Sequence, residues 1–148
     1  MKVRVIEDAD VVTYVTVCDP GDEAVSALAQ FARDEDLEAS EITGVGAFER
    51  AVVGWFDRAA KQYRRIPVDE QCEVLSLIGD VAVGQDGPVV HLHVVLGLAD
   101  GTTRGGHLLE GHVFPTLETV VREAPAELRK VMRPEIGLAL IDLDQSES

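Results

Sequence analysis

Cysteine is scarce in this 148-residue sequence: Cys18 and Cys72 lie far apart and in no Cys-x-x-Cys pattern. Reduced thiols, buried as small hydrophobes, are therefore favoured over a disulfide. Long apolar runs are also missing. The longest, residues 89–99, is interrupted by His91 and His93 and is too short to cross a bilayer. The start, Met1-Lys2-Val3-Arg4-Val5-Ile6-Glu7-Asp8-Ala9-Asp10, turns acidic before a signal-peptide core can form. A cytoplasmic protein with no membrane partner is expected. Cationic residues are few as well: 13 Lys and Arg stand against 27 Asp and Glu, for a net charge of −14. That balance disfavours nucleic acid, whose non-specific binding depends on Lys and Arg, and disfavours anionic lipid for the same reason.

What is abundant is hydrocarbon. Hydrophobic residues make up 46% of the chain, enough for a packed core and against disorder. A chain this long buries roughly 70% of the surface it exposes when unfolded. With no linker, repeat or low-complexity tract, residues 1–148 read as one domain. Residues 144–148 read as a frayed tail.

Residues 11–18 are rich in β-branched side chains and predict a strand. Asp19-Pro20-Gly21-Asp22-Glu23 then supplies helix-start chemistry, and Ala24, Val25, Leu28, Phe31 and Ala32 follow at helical spacing. From residue 42 to 121 the signals are strands and turns. Strands are expected at 44–57, 73–79, 81–83, 89–98 and from 102 onward, with residues 63–66 pairing back on the first. A weaker helix is expected over residues 125–131 and a last strand over 137–142. Short connections favour antiparallel neighbours, because parallel ones need long crossovers. The class is α+β, a largely antiparallel sheet flanked by a few helices.

All four histidines fall between residues 91 and 112. His91 and His93, two apart on one strand, face the same way. A three-residue loop, Ala99-Asp100-Gly101, with Gly101 in the left-handed position, would set His107 opposite His93. Opposed residues share a face, so three imidazoles would converge. A two-residue loop would turn His107 away unless a bulge at Gly105-Gly106 reset the register. The three-residue loop is preferred here. Three neutral imidazoles with one open position suit zinc or another divalent transition metal. A polar cluster in the core or at an interface would also account for them. His112, an odd step from His107, is left out. Glu73, Glu110 and Glu118 are candidate outer bases, though solvated roles suit them better. Ser76 has no nucleophile-elbow context, Gly44-x-Gly46 reads as backbone turning, and Trp55, Phe56 and Phe114 read as core or interface packing.

Gly44-Val45-Gly46-Ala47-Phe48, the 73–79 segment Glu-Val-Leu-Ser-Leu-Ile-Gly, His91-Leu92-His93 and Gly105-Gly106-His107-Leu108 occur in one order over most of the chain. Together they resemble, over a core of about residues 12–142, the plants-and-prokaryotes conserved (PPC) domain in its free-standing prokaryotic form. This domain is also found in plant AT-hook nuclear proteins. The resemblance implies an antiparallel sheet flanked by helices, a homotrimer, and a metal site at His91, His93 and His107. Glu73 matches an acidic position tied to partner recognition in the plant proteins. Here it stands in Glu70-Gln71-Cys72-Glu73-Val74, without the Gly, Arg and Phe that accompany it there. No AT-hook sequence is present. The favoured function is a trimeric binding or scaffold protein with a histidine-lined metal site, its small-molecule or protein partner unnamed. A zinc-type enzyme acting on a small molecule is the alternative, and a DNA-associated regulator is the third.

Overall fold

A computed structural model describes residues 1–8 and 10–147, with the backbone alone for residues 4–8. Ala9, in the acidic start, and Ser148, in the tail, lie outside the described residues. The chain runs β1 (Lys2–Asp8), β2 (Val11–Cys18), α1 (Ala24–Asp34), β3 (Ala39–Asp57), β4 (Gln62–Val68), β5 (Cys72–Gly84), β6 (Gly87–Gly97), β7 (Thr103–Glu123), β8 (Lys130–Arg133) and β9 (Leu138–Ile141). The architecture is α+β and its strand pairings are antiparallel, as expected. Among the described residues there is one α-helix rather than a few.

The helix forms where its start chemistry lies. Glu23 accepts from the backbone N–H groups of Val25 and Ser26, and also from the N–H of Gly111 on β7. One carboxylate thus caps the helix and ties it to the sheet. Leu28 and Phe31 pack from α1 into a core with Leu77, Leu92, Leu96 and Leu117. Both cysteines are free thiols buried in that core. Burial pushes the Cys18 thiol up to about 11, so it is protonated and inert.

Strands β3 and β7 are long and each serves several neighbours. β7 pairs with β2, β6 and β3, while β3 also pairs with β5 and β4. Strands β3, β5, β6 and β7 therefore close a circuit of pairings. A register shift between Gly44 and Gly46 bends β3, the backbone turning expected of that dipeptide.

The helix expected over residues 125–131 is not formed. Its backbone is recruited elsewhere: Leu128 N–H donates to Glu38 O, and Val83 N–H donates to Leu128 O. Lys130–Arg133 instead becomes β8, paired with β9 across a turn at Pro134–Gly137 in which Gly137 takes φ +89°. Tertiary pairing outweighs a weak local helical preference. In the tail, Glu147 exchanges two backbone hydrogen bonds with Glu127, and Ser146 Oγ accepts from Arg129 N–H. No helix in the described residues is long and apolar enough to cross a membrane.

Candidate metal centre

The β6–β7 hairpin sets the site. Gly101 takes φ +80°, its N–H donates to Leu98 O, and Leu98 N–H donates to Thr102 O. Only a left-handed residue closes the loop this way, and glycine adopts it without penalty. The three-residue loop then fixes Gly97 opposite Thr103 and His93 opposite His107. Gly105 and Gly106 pass through the ladder without shifting it.

His91, His93 and His107 consequently present one ligand nitrogen each within 4.8 Å of one another. The His91 and His107 rings stack at 5.2 Å, and His93 stands nearly perpendicular to both. Tyr63, on β4, stacks on His107 at 4.5 Å. It does so beside Gly54, where a Cβ would come within 2.8 Å of the tyrosine ring.

The electrostatics disfavour protonation of two of the three rings, His93 and His107. Burial, reinforced by the neighbouring imidazoles and Lys130, lowers His107 to about 4. His93 is also lowered, by burial first and by His91 second. Neutral imidazoles keep their lone pairs available for a cation. Asp80, opposite His91 on β5, lies 3.0 Å from His91 Nδ1 and accepts its proton. Nε2 of His91 is left to face an ion, the carboxylate–histidine arrangement that fixes a ligand's tautomer. Burial alone would raise Asp80, but His91 and Lys130 outweigh it and hold the carboxyl below its ordinary range. Lys130 Nζ lies 2.5 Å from Asp80 Oδ1, angled as an ion pair rather than a hydrogen bond. His107 Nδ1 is buried with no hydrogen-bond partner, at a typical cost of about 1–3 kcal/mol. A metal bound through that nitrogen would remove the cost, so the donor set fits a late first-row ion.

Of the other candidates, Glu110 pairs with Arg65, while Glu73 and Glu118 are exposed. None of the three lines the cleft over the histidines. His112 lies opposite Arg50 and outside the cluster. Trp55 and Phe114 are exposed rather than in the core, with Arg64 over the indole of Trp55. Sequence reasoning missed Tyr63, Asp80 and Lys130. Asp80 carried a signal, since counting back through the tight Gln85-Asp86 turn sets it opposite His91. Lys130 carried none, because it arrives on a hairpin whose pairing no local pattern announces.

The fold and site define a small α+β protein with three strand-borne imidazoles gathered on one face. Residues 7–125 match the Plants and Prokaryotes Conserved (PCC) domain, the PPC domain above, and the chain belongs to this family. It is 31% identical over 125 residues to the bifunctional protein GlmU of Synechococcus sp. (strain JA-3-3Ab), covering 84% of this chain. It spans only 19% of that protein's length. A PPC protein from Pyrococcus horikoshii superposes with a TM-score of 0.84 at 31% identity, over 95% of this chain and 94% of that one. A metal-containing protein from Archaeoglobus fulgidus gives 0.82 at 29% identity, over 95% and 96%. Lys130 and the β8–β9 hairpin lie beyond the family-matched residues.

Proposed function

We propose that this chain is a metal-binding PPC protein that holds a divalent transition ion, zinc or a similar metal, through His91, His93 and His107. The convergence of three imidazoles, one of them oriented by Asp80, carries this reading. The metal-containing relative from Archaeoglobus fulgidus supports it. His91, His93 and His107 would hold such an ion, which would supply Lewis-acid chemistry, polarising a carbonyl or lowering the pKa of water. Asp80 orients His91, Tyr63 braces His107, and the cleft admits a small molecule. Elemental analysis of protein purified without a metal-chelating tag tests the site. About one equivalent per chain is expected, and less than one-tenth overturns it. His93→Ala should lose the metal and stay folded; retained metal would reassign the ligands.

The binding role includes self-assembly into a homotrimer. Val45, Leu75, Ile78, Val95 and Val120 are exposed apolar residues, a pattern that marks association surfaces. A closed ring of copies would bury them. Light scattering should report three times the 16.0 kDa chain mass, and a monomer mass would overturn the assembly. Catalysis at the open position is the second reading, favoured by the cleft of about 650 Å³ beside the histidines. A regulator on DNA is disfavoured by the net charge of −14, and salt-sensitive retention on DNA would revive it.

A further inference from the structure

The cleft over the histidines has two unlike walls. One holds the imidazoles, Asp80 and Lys130. Among the described residues, Asp80 is the one carboxylate on this lining, and Lys130 already balances it; Glu41, opposite Asp80 on β3, borders the neighbouring pocket. The Lys130 side chain is 5% exposed, so its ammonium is buried at the site. A divalent ion on the three imidazoles would therefore add two positive charges that no unpaired carboxylate of this lining meets. An outside anion would offset them. The second wall is hydrocarbon, from Val89 on β6 and from Leu138, Leu140 and Ile141 on β9. Val89, Leu140 and Ile141 remain about two-fifths exposed although they lie on strands. That apolar surface has no partner in the chain.

We infer that the cleft binds a small aliphatic monocarboxylate. Its carboxylate takes the open position at the ion beside the Lys130 ammonium, and its hydrocarbon body lies against Val89 and Ile141, the β9 residue that opposes Lys130 in register. The inference rests on the proposed metal site and goes beyond it in naming the ligand class. It also assigns the β8–β9 hairpin a task, since the hairpin supplies both the buried cation and most of the apolar wall.

The test uses the full chain loaded with Co²⁺, whose visible spectrum reports the ion's coordination. Acetate, butyrate and hexanoate are titrated in turn, with hexanol as the uncharged control. Each added methylene should tighten binding about fourfold until the cleft is filled, following the usual gain per buried CH₂. Hexanol should leave the spectrum unchanged. Lys130→Met should weaken every carboxylate tenfold or more while retaining cobalt. Ala139 shares the face of the hairpin that carries Lys130, because Met132 opposes it in register. Ala139→Trp should keep the acetate response and abolish the gain with chain length. Cobalt-loaded protein that responds equally to acetate and hexanoate, or not at all, overturns the inference alone. Protein that retains no cobalt overturns the metal site first, and the inference with it.

Discussion

At the scale of single residues, the site depends as much on missing side chains as on present ones. Gly79 pairs with Leu92, between the two strand histidines, and a Cβ there would come within 2.1 Å of the carbonyl oxygen of His91. Backbone cannot swing aside as a side-chain tip can. Gly79→Ala should therefore cost about 1–3 kcal/mol of stability in urea unfolding, the usual range for overpacking. Because Asp80 and His91 are the next pair in that ladder, the same variant should bind less metal. Unchanged stability together with full metal content would show that the strands part there without consequence.

At the scale of elements, α1 hangs on Glu23. Burial raises this carboxyl, but hydrogen bonds from Ser26, Gly111 and Val25 outweigh it and hold the group below its ordinary 4.5. A carboxyl lowered on folding stabilises the protein above its unfolded value, and the contribution is lost as pH falls through the folded one. Urea midpoints should thus fall as pH drops below about 4.5, by less in Glu23→Gln than in the wild type. Equal slopes in the two proteins would remove Glu23 from the account. Much of this level was legible beforehand. The 11–18 strand, the helix over 24–34 and the β6–β7 register all follow from short-range chemistry, namely β-branching, 3.6-residue spacing and a loop glycine. β1 and β8 were not read as strands: the Lys2-Val3-Arg4-Val5 alternation of β1 is only four residues long, β8 has no alternation, and each exists through a partner strand. The histidine cluster was readable because one hairpin brings its members together. Lys130 meets Asp80 across fifty residues, a distance no local signal spans.

At the scale of the whole molecule, the proposed trimer would rest on the apolar face that bears Ile78. Ile78 is 57% exposed and pairs with His93 on β6 and Thr43 on β3. It therefore shares the face of the histidine cluster. A charge at this position should be tolerated by the fold and refused by a neighbouring copy. Ile78→Lys is expected to give a 16.0 kDa species in light scattering, with the circular dichroism of the parent. A mass that stays at three chains would move the contact elsewhere.

The circuit of strands has a further consequence during synthesis. Val12 pairs with Glu123 and Cys18 with Leu117, so the second strand, matched on one side by β1, has no mate for its other edge until the ribosome has delivered most of the chain. Contacts so distant in order form slowly, and their edges stay adhesive while they wait. Ribosome-bound chains halted near residue 110 should therefore be soft to protease from β2 onward, and harden once residue 123 has cleared the exit tunnel.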